Sequence, residues 1–147
     1  MEIAILALGC FWGPEIKFSK LDGVLKTEVG YCGGHNNQTN YKEVCSGTTN
    51  HAEVVKIEFD PNLISYEKIL KFFYKIHDPT TLNSQGPDFG TQYRSEIFYL
   101  NDKQKQIAER ITKEENNKLS EKVVTKISLI KNYCPAEEYH QKYLEKR

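Results

Sequence analysis

In the stretch LALGCFWGPE, residues 6–15, a cysteine follows an apolar run at the point where a helix is about to start. A sulfur placed there faces free backbone N–H groups and the positive end of a helix dipole, which favours a thiolate below the ordinary cysteine pKa. Cys10 is therefore a candidate nucleophile, and the alternative is a small buried hydrophobe closing a strand. Beside it, Phe11 and Trp12 can be core anchors or the walls of a narrow apolar slot against the sulfur. The second residue out of place is Glu53. In HAEVVKIEFDP it shares a strand face with Val55, Ile57 and Phe59, while Ala52, Val54, Lys56 and Glu58 take the other face. A carboxyl on an apolar face is desolvated, its pKa rises toward neutrality, and it can then donate a proton at pH 7. Otherwise Glu53 sits at a strand end and reaches solvent or a lysine.

Two further chemistries use the same residue types. Cys10 with His51 or His140 as base would make a cysteine hydrolase. Cys32, His35, Cys45 and His51 could ligate zinc, but C-x2-H-x9-C-x5-H is not a usual structural zinc spacing, and no metal is expected.

These residues need elements to hold them. Ile3–Leu8 is a continuous apolar run, as expected of a strand buried on both faces. Pro14 fits the first turn of a helix from about Phe11 to Lys20. A strand is predicted at Val24–Val29, followed by a glycine- and asparagine-rich loop in which Cys32 could travel. Ser65 can cap a helix from Tyr66 to about Ile76 whose stripe is Tyr66, Ile69, Leu70, Phe73 and Ile76. The polar stretch 77–93 reads as a loop. RSEIFYL and VVTKISLI read as strands, separated by a helix from about Asp102 to Asn117 that turns Ile107 and Ile111 inward, and Pro135 opens a final helix through Tyr139, Tyr143 and Leu144. Because strands and helices mix without strict alternation, the expected class is α+β, a two-layer α/β sandwich with a mixed, largely antiparallel sheet and a ferredoxin-like core.

At 147 residues the chain accommodates one domain, spanning 1–147. Twenty basic residues balance 20 acidic ones, so no charge field argues for nucleic acid or an anionic membrane. The start of the chain lacks the basic residues and apolar length of a signal peptide, and no stretch approaches a membrane span. Four cysteines without such a signal are expected to be reduced thiols in a cytoplasmic, monomeric protein.

Five blocks in order, GCFWGPE, GYCGG, YKEVCSGTTNHAEVV, HDPTTLNSQGPDFGTQYRS and AEEYHQKYL, run from Gly9 to Leu144 and resemble the A-type peptide-methionine sulfoxide reductases. Methionine sulfoxide is reduced by one enzyme per epimer. The resemblance implies reduction of the S epimer of methionine sulfoxide, peptide-bound or free. Cys10 would be the nucleophile that becomes a sulfenic acid, and Glu53 the proton donor. Tyr41, Tyr93 and Asp88 would contact the sulfoxide, and Phe11 and Trp12 would hold its methyl group. No cofactor is implied, only an external thiol such as thioredoxin, glutaredoxin or glutathione. Many relatives carry a cysteine-bearing tail beyond the last block, which this sequence lacks. Cys134 or Cys32 is then a candidate resolving thiol, in competition with the external one, while the resemblance implies a buried, structural Cys45. A redox-inert module that only captures the sulfoxide is the non-enzymatic alternative.

Overall fold

The computed structural model describes residues 1–35, 38–47, 49–119 and 122–144. Its central strand, β1 (Glu2–Leu8), is the apolar run of the amino terminus. Ala4, Leu6 and Leu8 enter the main core on one face of the sheet, and Ile5 and Ala7 enter a smaller core on the other, which is why the run has no polar alternation. Helix α1 (Trp12–Ser19) follows at once, with Pro14 in its first turn, and β2 (Val24–Cys32) returns along the sheet.

A short helix, α2 (Tyr41–Ser46), lies where the sequence suggested only loop. Its signal was present: Asn40 caps it by accepting the Glu43 N–H at 2.9 Å, and Gly47 ends it with φ +80°. The chain continues through β3 (Ala52–Phe59) and α3 (Tyr66–Lys75), which Ser65 caps as expected. Val55, Ile57 and Phe59 lie in the main core and Ala52 and Val54 in the smaller one, so the alternation around Glu53 holds. Next come a two-residue hairpin of β4 (Ser84–Gln85) and β5 (Asp88–Phe89), a 3-10 turn at Thr91–Tyr93, and β6 (Ser95–Tyr99). Helix α4 (Asp102–Lys118) and the short strands β7 (Lys126–Leu129) and β8 (Cys134–Pro135) complete the described chain.

The large sheet has the order β7-β6-β1-β3-β2-β8, antiparallel except for the β6–β7 pair. A six-stranded mixed sheet with helices packed on the main core gives the expected mixed α/β class. Phe18 of α1 meets Phe72 of α3 edge to face, with centroids 5.2 Å apart.

Three expectations are corrected. The strand foreseen over 123–130 shortens to β7, because Val124 donates its N–H to the Pro79 carbonyl instead of a ladder. The final helix does not form. Pro135 sits on β8 at the sheet edge, where a missing N–H costs nothing, and only a 3-10 turn, Glu138–His140, follows. Finally, β2 runs on to Cys32, which is a fixed strand residue of the smaller core and not part of a mobile loop.

Candidate active site

The turn between β1 and α1 builds the site. Gly9 takes φ +98°, open to glycine, and a Cβ there would lie 2.8 Å from the Gln85 side chain, so the β4–β5 hairpin is seated directly on the residue before Cys10. Gln85 holds its own loop by accepting the Asp78 N–H at 3.1 Å and donating to the Asp78 carbonyl. Asp88, opposite Gln85 in the hairpin, is thereby carried to the sulfur. Phe11 is the residue that caps α1, and no side chain caps this end of the helix. Its N–H donates to Glu53 Oε1 at 3.3 Å, and Glu53, 1% exposed, has no partner at Oε2.

Cys10 is half-buried. Burial pushes its thiol up to about 11; the Trp12 N–H opposes this, and the charges of Glu53 and Asp88 add to it. The expectation of a lowered pKa is thus corrected: the helix end acts on the sulfur as expected, but desolvation and two carboxyls outweigh it. Burial also pushes the Glu53 carboxyl up to about 8, against the Phe11 N–H and with the help of Asp88. At pH 7 the resting site holds a thiol and a protonated carboxyl.

Two tyrosines close it. Tyr41 opens α2 and Tyr93 ends the 3-10 turn, and their hydroxyls share a hydrogen bond; burial, followed by the charge of Glu53, pushes Tyr93 up to about 12. Tyr41 also bonds the Cys45 thiol and is pushed up mainly by burial. The structure therefore brings together Cys10, Glu53, Asp88, Tyr41 and Tyr93. Phe11 is buried, with its ring centroid 5.8 Å from Tyr31, and Trp12 stacks on Tyr143 at 3.9 Å.

Two residues of the site escaped the sequence reading in these roles. Glu137 accepts the Tyr31 hydroxyl at 2.8 Å, the Tyr41 N–H at 3.0 Å and the Tyr139 hydroxyl at 3.2 Å, so it ties α2 to β2. His140, weighed only as a hydrolase base, is 2% exposed and accepts the Trp12 indole N–H at Nδ1 over 3.1 Å. Neither partner set is visible as a spacing, because the contacts cross about a hundred residues of chain.

The remaining cysteines are dispersed. Cys32 is fully buried, donates to the Lys131 carbonyl at 3.3 Å, and is pushed up to about 11 chiefly by burial. Cys45 is exposed, contrary to expectation, because it lies on the outer face of the short α2. Cys134 pairs with Tyr31, which pairs with Glu53, so all three share one sheet face, with Tyr31 in between. Among the described residues no three His, Cys, Asp or Glu side chains gather as metal ligands. The groups that perturb Cys10 are carboxyls and a backbone N–H, not a histidine, which disfavours the hydrolase arrangement.

Residues 2–147 match the family model described as peptide methionine sulfoxide reductase. A peptide methionine sulfoxide reductase MsrA of Pelagibacter ubique is 77% identical over 147 residues, covering 100% of both chains. Mxr1 of Saccharomyces cerevisiae in its reduced form superposes with a TM-score of 0.95 at 42% identity, over 99% of this chain and 85% of that one. The same yeast protein in complex with Trx2 superposes at 0.69 with 29% identity, over 97% of this chain and 84% of the other.

Proposed function

The chain belongs to the peptide methionine sulfoxide reductase family and is an enzyme of that type, and we propose that it reduces the S epimer, peptide-bound or free, through Cys10 and Glu53. One observation carries this: a carboxyl that is protonated at neutral pH lies beside a cysteine, with one oxygen fixed by the Phe11 N–H and the other unpartnered. Such a group is ready to give a proton to an incoming oxygen.

The steps balance as follows. Glu53 protonates the sulfoxide oxygen, with the Tyr41 and Tyr93 hydroxyls donating to it, which makes the sulfoxide sulfur electrophilic. The Cys10 sulfur attacks that sulfur and its proton passes to the Glu53 carboxylate. Oxygen then moves from the substrate sulfur to Cys10: a Cys10 S–O bond forms while the substrate S–O bond and the new S–S bond break, leaving methionine and a Cys10 sulfenic acid, with two electrons transferred from one sulfur to the other. Phe11 and Trp12 hold the methyl group, and Asp88 contacts the substrate and adds to the burial that keeps Glu53 protonated.

An external thiol closes the cycle. It displaces the sulfenic oxygen as water to form a mixed disulfide, and a second thiol releases Cys10. Because the yeast relative is known in complex with Trx2, a thioredoxin is the first choice, with glutaredoxin or glutathione behind it. Cys32 faces the other core, and Cys134 lies on a strand three inter-strand spacings from β1, about 14 Å, whereas a disulfide needs Cα atoms within about 7 Å. The element order β1-α1-β2-β3-α3-β6 with sheet order β6-β1-β3-β2 supports a ferredoxin-like core. We also take the protein to act as a cytoplasmic monomer without metal or organic cofactor.

The test supplies separated epimers in a peptide with excess dithiol. The expected result is turnover of the S epimer alone and its loss in Cys10→Ser; turnover of the R epimer, or activity in Cys10→Ser, overturns the proposal.

A further inference from the structure

His140 lies at the centre of an aromatic cluster. Its ring centroid is 5.2 Å from Phe11, 5.7 Å from Trp12, 4.6 Å from Tyr41 and 4.3 Å from Tyr139, so it touches both walls of the proposed methyl slot and one of the hydroxyl-bearing rings. The Trp12 indole can only donate, and it donates to His140 Nδ1 at 3.1 Å. That bond requires Nδ1 without a proton, so the neutral ring carries its hydrogen on Nε2, which is buried and has no partner among the described residues. An imidazole held this way leaves a polar atom unsatisfied, which is costly unless its orientation serves another purpose.

We propose that His140 is a positioning residue for the methyl slot: by accepting the indole N–H it fixes Trp12 against the S-methyl group, and so governs how tightly sulfoxide is held more than how fast its S–O bond breaks. This rests on the reductase reading. Protonation of His140 fills Nδ1, removes the acceptor and frees the indole. Burial holds its pKa below the ordinary histidine value. Among the described residues the groups that face it are Glu137, the one charge, which opposes that lowering, the neutral phenols Tyr41 and Tyr139, and Phe11 and Trp12 from the start of α1. The slot should therefore loosen at acid pH, in a window below the free histidine pKa of about 6.5.

Trp12 is the single tryptophan of the chain, so its fluorescence reports this contact without regard to turnover. The experiment compares wild type with His140→Phe, which keeps a ring but no acceptor, and with His140→Asn, which restores an acceptor. The expected wild-type emission titrates below pH 6.5 and KM for an S-sulfoxide peptide rises over the same window. In His140→Phe the titration vanishes and KM at pH 7 rises about 5-fold, the worth of one hydrogen bond, with kcat within about 2-fold. His140→Asn recovers most of the KM. A wild-type emission that does not titrate, a titration that persists in His140→Phe, or a loss confined to kcat overturns the proposal. Should His140→Phe fail to fold, the parallel course of emission and KM in wild type still decides. If wild type reduces neither epimer, the reductase reading fails, and the emission titration alone tests the contact.

Discussion

At the scale of single residues, a deeply buried carboxyl carries a cost in stability and, in the proposed mechanism, the proton the reaction needs. Glu53 is protonated in the folded chain up to about pH 8, whereas an unfolded glutamate ionises near 4.5. The folded state therefore binds the extra proton between those values: its stability is fully present below 4.5 and is lost as pH rises through about 8. Glu53→Gln keeps the shape and removes the titration. It is expected to melt higher than wild type at pH 8–9 while kcat falls by about 10²–10⁴, with little change in KM. Thermal melts and steady-state kinetics across pH check both halves, and wild type itself should lose activity above about pH 8. The sequence made Glu53 legible because a charge interrupts a clean alternation. It made the placement of Cys10 legible too, but not the direction of its pKa, since that depends on burial in the folded chain and then on the carboxyls of Glu53 and Asp88, each more than forty residues away.

At the scale of elements, the segment from His77 to Arg94, which carries Asp88 and Tyr93, is fixed at both ends. His77 Nδ1 donates to the Phe73 carbonyl at 2.6 Å, and its Nε2 accepts the Ser95 hydroxyl at 2.7 Å, which in turn accepts from Thr125 at 2.7 Å. At the other end Arg94 pairs with Glu96 at 2.6 Å inside the fold and donates to the Thr91 carbonyl at 2.9 Å, shaping the turn that ends in Tyr93. Burial lowers the His77 pKa to about 4 against 6.5 when free. The unfolded chain then binds the extra proton between those values, so stability should fall as pH drops from 6.5 toward 4. In His77→Gln this part of the pH dependence of the melting temperature is expected to disappear. Helices with strong stripes and caps, α3 and α4, were legible from periodicity. The carboxy-terminal segment was not: a proline and scattered aromatics suit a helix start, but the pairing of β8 with the edge of β2 depends on a strand a hundred residues earlier.

For the whole molecule, the placement of its four thiols is what the proposed recycling by an external thiol rests on. Cys10 lies beside Glu53 and Asp88, Cys32 is sealed in the second core, Cys45 is exposed while its thiol bonds the Tyr41 hydroxyl, and Cys134 is separated from Glu53 by Tyr31. The order of blocks along the sequence pointed to the reaction, whereas these positions could not be read from it, because strand order and sheet face decide them. The most direct test is a single turnover of the purified chain on the S epimer with no reductant, with product methionine, free thiols and protein mass all measured. The account predicts one methionine per chain, the loss of one thiol, and one oxygen retained on Cys10. No methionine, or an oxidised residue other than Cys10, would contradict it.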